Sequence, residues 1–475
     1  MNINLIAILK KEKRFLLFLF LFSFFIRAII FGFILSKDRK YFTFDSSFHN
    51  EVGMEFSKGR GLVRVDGAYA FWKVPGYAIF LGLVYSLFGQ DELKAIFFQI
   101  FLSSFLPILI FFLSLVLFSN AIILAKITSI YGVFHLGYVL FSGLMMTESI
   151  FCLFFLLFLI FFLSQFNFFF CKEAIKDFSL RKSFCGGVFL GAASLIRPVG
   201  HYLILLLILM MFFDNVPFII KLKKLGLLVF GWGLIIFWLL LRNYFLTGYI
   251  FFNTMPGNHF LYYVAVPIDM YMNNNSAKES SEKLLEKELK ELIKKEKKDK
   301  CRKLQEIEES IIAQKLAYNY ILKKPFLFVK NAIYNMIKTC ISFHSSHILA
   351  ICGHYPEWCY EKGVTFNKRI KKYLFPPIKN NFLKFIIFLE IIFSFFILVG
   401  FAGGIIKSFF KFEFLCSVLK FLPIMCFMIF LTFASGISRL RLPIEPFFII
   451  IAFNFWLNIL KRRKGLFSVD KCNAK

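Results

Sequence analysis

The sequence predicts an all-α protein that crosses a membrane about ten times, and three observations carry the prediction. Of the 475 residues, 59% are hydrophobic and 20% aromatic, with 71 Phe, an apolar content suited to lipid contact. Several apolar runs reach the ~20 residues that a helix needs to cover about 30 Å of hydrocarbon. Basic residues then fall unevenly on the two sets of loops that those runs define, which is how a sequence encodes membrane orientation.

The first run, 15–36, follows Lys10, Lys11, Lys13 and Arg14, which puts the N-terminus on the cytoplasmic side. It is longer than a signal-peptide core, and "KDRKYF" after it offers no small-residue cleavage site, so it is an uncleaved first span. Further apolar stretches fall near 93–118, 121–144, 148–168, 184–197, 199–213, 225–241, 383–406, 415–437 and 446–460. The two between 184 and 213 are short and meet at "LIRPVG", where Pro198 forbids a plain continuous helix and Arg197 is costly in lipid. They read as two short spans or one broken pair.

The stretch 75–89, "PGYAIFLGLVYSLFG", has only 15 residues and opens with Pro-Gly. If it spans, the crossings number eleven; if it lies in the interface or re-enters, they number ten. Charge decides between the two. With ten spans, segments 1–14, 119–126, 169–183, 214–224, 407–414 and 461–475 hold 20 Lys and Arg, against 9 in segments 37–92 and 438–445 of similar total length. Ten spans therefore satisfy the positive-inside rule, with both termini cytoplasmic.

The net charge of +28 is thereby mostly an orientation signal, and no RNP-like or zinc-finger spacing supports nucleic-acid binding. The ten Cys are scattered, half of them inside apolar runs, and do not describe a disulfide framework. Three regions follow: a membrane-embedded module over 1–241 with first outer loop 37–92, a large outer loop region over 242–382, and three spans with a basic cytoplasmic tail over 383–475. Within the large loop, 277–312 mixes both charge signs with Leu284, Leu285, Leu289, Leu292 and Ile293 at helical spacing. It is expected to be a charged helix, either simply solvated or binding anionic headgroups. No internal repeat of the kind found in many transporters is present.

The stretch 340–359, "CISFHSSHILAICGHYPEWC", gathers His344, His347 and His354 with Cys340, Cys352 and Cys359. A packed loop, a Cys352–Cys359 disulfide and a metal site all remain open, but the spacings fit no standard zinc module and no metal ligand is assigned.

Ten spans place Asp45, Glu148, Arg197, Arg242, Arg439 and Arg441 at or near the outer face. Ionisable residues at membrane depth are rare and usually functional. Their gathering on one side favours a reaction site facing the outer compartment over a conduit.

The spacing of motifs on that face is also familiar. "DSSFHNEVGMEFSKGRGLV" followed by "KVPGYAIFLGLVYSLFG" resembles the first outer loop of the GT-C superfamily of polyprenyl-phosphate-dependent glycosyltransferases, in the branch of protein mannosyltransferases, aminoarabinose transferases and galacturonic-acid transferases. Asp45, Gly59 with Gly61, Pro75-Gly76-Tyr77 and Phe88-Gly89 stand in the order of that pattern. "TESIF" at 147–151, "SLIRPVG" at 194–200, "RNYFLTG" at 242–248 and "SRLRLPIEP" at 438–446 extend it over roughly 10–460. The sequence departs from it at Phe48, where a Tyr is common, and in the lysine-rich insertion near 277–303.

The resemblance implies transfer of a sugar from a polyprenyl-phosphate donor to an acceptor hydroxyl of an envelope lipid, glycan or protein. The expected setting is a bacterial inner membrane, the reaction extracytoplasmic and the anomeric centre inverted. No nucleotide fold is needed, because the leaving group is anchored in lipid. No cofactor beyond the lipid-linked sugar is assigned, and dependence on a divalent metal is left open.

Deprotonating the acceptor calls for a carboxylate, for which Asp45 is the candidate. Glu148 corresponds to a second acid that orients acceptor or base. Charge building on the departing phosphate calls for guanidinium groups, for which Arg197, Arg439 and Arg441 are candidates. His49, Glu51 and Lys73 are possible supporting residues. Structural roles compete with each assignment: Asp45 as a helix N-cap, Glu148 as a helix start, Arg242, Arg439 and Arg441 as interfacial anchors, and His49 and Glu51 as loop polar groups. Two other functions stand against transfer, a transporter or lipid flippase and a ligase or polymerase of lipid-linked glycans.

Overall fold

The computed structural model describes residues 5–32, 36, 38, 40–119, 121–168, 179–272, 278–300, 305–351 and 381–463. Among them no sheet forms, and only two isolated bridges interrupt an otherwise helical chain.

Helices α1 (Leu5–Lys11) and α2 (Lys13–Ile30) precede a first loop built of α3 (Phe44–Ser57) and α4 (Gly76–Phe88). Next come α5 (Glu92–Ser103), α6 (Leu106–Leu117), α7 (Ile122–Phe134), α8 (Leu136–Ser142), α9 (Glu148–Leu163), α10 (Leu180–Ile196), α11 (Val199–Phe212) and α12 (Phe218–Thr247). The large loop contributes α13 (Met255–Phe260), α14 (Val266–Met272), α15 (Lys278–Lys300), α16 (Glu306–Lys323), α17 (Pro325–Ile341) and α18 (Ser345–Ile351). The last fifth supplies α19 (Asn381–Ser408), α20 (Phe412–Leu419), α21 (Leu422–Phe430) and α22 (Glu445–Arg463).

Each of the ten predicted apolar stretches coincides with a helix or a bent helix pair, and the protein is a multi-pass membrane protein. Four segments are long and apolar enough to cross on their own: Glu92–Leu117, Phe218–Thr247, Lys384–Ser408 and Leu442–Lys461. Two more, α7 with α8 and α20 with α21, do so as pairs bent by 50° and 42°. The remaining four are shorter, α2, α9, α10 and α11, with 18, 16, 17 and 14 residues. Helix α4, with 13 residues and about 20 Å of rise, is shorter than any of these.

Helix α9 is the central rod, with Phe151, Phe155, Phe158 and Phe162 all buried, as a helix apolar on every side must be. It packs on α10, which in turn meets α12 through Gly187, where an added Cβ would lie 2.1 Å from the Leu228 carbonyl oxygen. On the outside, α12 leaves Phe230, Leu234 and Phe237 exposed and α19 leaves Phe388, Ile392 and Phe395, faces suited to lipid.

At Pro198 the chain passes from one short helix to the next. Arg197 is extended (φ −141°, ψ 134°), as a residue before proline prefers, and Pro198 opens α11. The charged stretch 277–312, expected as one helix, instead yields α15 and α16. Gln305 is extended and caps α16 in a reciprocal pair with Glu308, which ends helical continuity there.

Candidate active site

Five of the charged residues singled out above come together. Asp45 lies in the first turn of α3, where the helix dipole favours a carboxylate. It is not the cap; that place belongs to Thr43, whose backbone N–H donates to Ser46 Oγ at 2.9 Å. Asp45 Oδ1 accepts from Lys73 Nζ at 2.8 Å and Oδ2 from Arg439 Nη1 at 2.9 Å. Arg439 Nε stands 3.8 Å from Glu148 Oε1, which also accepts from Arg197 Nη1 at 2.8 Å. The result is a line of alternating charge, Lys73, Asp45, Arg439, Glu148, Arg197, drawn from four distant parts of the chain.

Local structure explains each placement. Lys73 ends a loop that turns at Gly59 and Gly61, both at positive φ (77° and 80°), the region glycine enters without a Cβ clash. Arg242 clamps this loop: its Nη2 donates to the Leu62 carbonyl at 2.9 Å and its guanidinium sits 5.2 Å from the Phe71 ring centroid. Arg242 is thus a support of the first loop rather than an interfacial anchor. Thr254 and Met255 donate backbone N–H groups to the Phe71 and Trp72 carbonyls at 2.9 and 3.1 Å, seating the large loop beside Lys73.

Glu148 is the first residue of α9, and its height is set by the segment before it. Gln99 Nε2 donates to the carbonyls of Ser142 and Leu144 (2.9 and 2.7 Å), while Ser46 Oγ donates to that of Met145 at 2.7 Å. The start of α9 is therefore tied to the start of α3. At Gly76 a Cβ would come within 2.5 Å of the Leu195 carbonyl oxygen, so the Pro75-Gly76 turn lets α4 press against the end of α10, two residues before Arg197.

Three candidates lie elsewhere. Arg441 is buried in a second cluster, donating from Nε to Glu445 Oε1 at 2.5 Å and from Nη1 to the Thr339 carbonyl at 3.1 Å. Ser438–Leu440 and Leu442–Ile444 are successive 3₁₀ turns, and two residues along such a helix rotate a side chain by about 240°. Glu51 accepts from the Val65 N–H at 2.7 Å and faces Arg64 Nε at 3.8 Å, bracing the loop tip. His49, one turn on from Asp45, is buried edge-on to Tyr77 with ring centroids 5.2 Å apart. Burial first, and Lys73 second, lower its pKa to about 3, so it is neutral. Of the 340–359 stretch, residues 352–359 lie outside the described residues, and with them His354 and the Cys352–Cys359 pairing.

Electrostatically the line is unbalanced. Burial alone would raise the Asp45 carboxyl, but Arg439 and Lys73 hold it well below the usual carboxylate range. Three cations face two carboxylates, so one positive charge is uncompensated. The Asp45 and Arg439 side chains remain 35% and 26% exposed, which keeps that charge open to a ligand. Sequence reasoning had placed Lys73 only among possible helpers; its partnership with Asp45 spans 28 residues and has no local signature. It missed Glu445 as the partner of Arg441, although "SRLRLPIEP" carries the pair at i, i+4 spacing.

No family model matches the sequence, and no curated protein does. Among solved structures, the fold matches the archaeal oligosaccharyltransferase AglB from Archaeoglobus fulgidus, in complex with an inhibitory peptide and a dolichol-phosphate. The TM-score is 0.52 at 12% identity, over 98% of this chain and 53% of that one. The chain thus spans about half the length of AglB. ArnT from Cupriavidus metallidurans, in the apo state, aligns over 86% of this chain and 72% of its own at 12% identity, and its TM-score of 0.32 supports no conclusion. The AglB match shows the fold alone: this chain is an all-α polytopic membrane protein folded as part of AglB is.

Proposed function

We propose that the protein is a membrane glycosyltransferase that moves a sugar from a polyprenyl-phosphate donor to an acceptor hydroxyl on the extracytoplasmic face. The observation that carries the reading is the uncompensated positive charge on the Lys73–Asp45–Arg439–Glu148–Arg197 line. A sugar phosphodiester brings one negative charge, which this excess matches. The dolichol-phosphate bound to AglB supports a lipid-phosphate donor on this fold.

On this reading Arg197 and Arg439 bind the phosphate. As Arg439 and Lys73 turn toward it, Asp45 loses the cations that depress its basicity and becomes able to accept a proton. The acceptor oxygen attacks the anomeric carbon, its proton passes to Asp45, and the bond from that carbon to the phosphate oxygen breaks with inversion. The leaving phosphate gains a second negative charge, which the two guanidinium groups stabilise. Glu148, held between them, fixes their spacing. The reacting groups come from both 1–241 and 383–475, so the catalytic module includes the Arg439 turn. Acceptor choice is assigned to 242–382, whose Thr254 and Met255 adjoin the Lys73 loop. On this reading the membrane is a bacterial inner membrane with both termini cytoplasmic, an orientation that the excess of Lys and Arg in the segments opposite this loop supports.

The deciding experiment reconstitutes the full chain in vesicles with a polyprenyl-phosphate sugar. Asp45→Asn is expected to insert normally and to lose most of its sugar transfer, by roughly 10²–10⁴-fold; turnover like the unsubstituted protein's would remove Asp45 as the base. Mass spectrometry of envelope lipids and glycans with and without the gene would name the sugar and the acceptor class by the missing mass. Movement of the donor across the vesicle without covalent change would replace transfer by transport.

A further inference from the structure

A second polar cluster, apart from the proposed reaction, is built like a metal site. His135 stands where α7 and α8 meet at their 50° bend, His344 just before α18, and Glu445 at the start of α22. All three are buried, with exposures of 8%, 2% and 3%. One ligand atom from each lies within 4.8 Å of the others. His344 Nε2 is 3.1 Å from Glu445 Oε1, and His135 Nε2 is 3.7 Å from Oε2, longer than a hydrogen bond. On a tetrahedral ion with bonds of about 2.1 Å the ligand atoms sit roughly 3.4 Å apart. The separations from the imidazoles to the two Glu445 oxygens, 3.1 and 3.7 Å, lie on either side of that value, so the carboxylate faces both rings.

Ordinary packing does not account for the cluster. Glu445 already has a counter-charge in Arg441, so it needs no imidazole. Each ring also buries an Nδ1 with no hydrogen-bond partner, a cost that an apolar residue would avoid. Yet the chain makes room for them. Gly137 lies against the His344 ring, where a Cβ would be 3.0 Å from two of its carbons. Glu390 fixes the backbone of the same residue, accepting from the N–H groups of His344 and Ser345 at 2.5 and 2.8 Å. Arg441 donates to Glu445 Oε1, the oxygen that His344 also meets, and so leaves Oε2 to His135, the way an outer partner orients a metal-binding carboxylate.

We propose that His135, His344 and Glu445 bind one divalent transition ion, zinc by its preference for two imidazoles and a carboxylate, with the fourth position left to water. The ion would staple the bend after α7 to the start of α22, six residues beyond Arg439. Its role is to hold the turn that carries Arg439. The ligands come from three segments of the chain, which is why no spacing in the sequence announces them.

The test titrates cobalt(II) into purified, chelator-stripped full-length protein in detergent, with folding followed by elution profile, and does not depend on sugar transfer. The expected result is one equivalent bound, with the visible bands of four-coordinate cobalt and no thiolate charge transfer. His344→Cys should keep the ion and add that charge-transfer band, which reads the site even if an alanine variant fails to fold. His347→Ala, a neighbouring histidine outside the trio, should bind as the unsubstituted protein does. Folded unsubstituted protein that takes up no cobalt would overturn the proposal. So would a His135→Ala, His344→Ala double variant that takes up a full equivalent, or a His344→Cys spectrum without the new band.

Discussion

The two ends of α9, 16 residues and so about 24 Å apart, each carry a charged cluster, and they are made differently. Beyond the C-terminal end, Lys224 donates to Asp214 Oδ2 and to the Gln165 carbonyl (2.7 Å for the latter), while Asp214 Oδ1 accepts from the backbone N–H groups of Asn167 and Asn215, each at 3.0 Å. Both side chains are essentially sealed, at 1% and 0% exposure, and one cation meets one carboxylate. At the N-terminal end Glu148 belongs to a line in which cations outnumber carboxylates and Asp45 is 35% exposed. A closed, balanced pair has no remaining affinity for a third charge. An open, unbalanced one does, and that difference separates a structural ion pair from a ligand site in one helix bundle.

The contrast can be broken most sharply at Asp45. Asp45→Asn is expected to lower transfer by roughly 10²–10⁴-fold, the usual contribution of a general base, with membrane insertion unchanged. At the other end Lys224→Met should leave transfer per folded molecule intact and cost about 3–5 kcal/mol of stability, because it strands a buried carboxylate. Adding Asp214→Asn should recover most of that loss in a thermal melt, and a double variant as unstable as the single one would mean the pair is not a closed unit.

Glu148→Gln tests the charge count. It raises the excess on the line from one to two, so donor affinity should rise at low salt while turnover falls. An unchanged donor Kd would leave Glu148 as a helix start alone. The smallest effect concerns pH. The folded Asp45 carboxyl lies below its unfolded value, so its pairing stabilises the protein above about pH 4 and is lost only as pH falls through the lower folded value. Melting temperatures of the unsubstituted protein and Asp45→Asn should therefore differ by a constant amount between pH 7 and 5; a gap that closes over that range would place the titration higher.

Much of the fold was legible because apolar runs and proline are local signals. The spans and the break at Pro198 needed only hydropathy and the steric rule for the residue before proline. Asp45, Glu148, Arg197 and Arg439 could be singled out because charge at the ends of apolar runs is conspicuous. Their mutual pairing could not, since Arg439 meets Asp45 across 394 residues. Arg441 was expected beside Arg439 because sequence proximity hides the rotation of a 3₁₀ turn. The division of 277–312 into α15 and α16 escaped because both halves share one charged composition, and the cap at Gln305 is a weaker breaker than glycine or proline.

Gly76 carries a consequence for any survey of random substitutions. It has no functional group, yet a Cβ there would come within 2.5 Å of the Leu195 carbonyl oxygen, so its absence sets how near the end of the Lys73 loop can come to Arg197. Selection for sugar transfer should therefore reject nearly every replacement at this chemically silent position. Its tolerance profile should match that of the charged residues it brings together, and a map of fitness would rank a bare hydrogen atom among the ionisable groups.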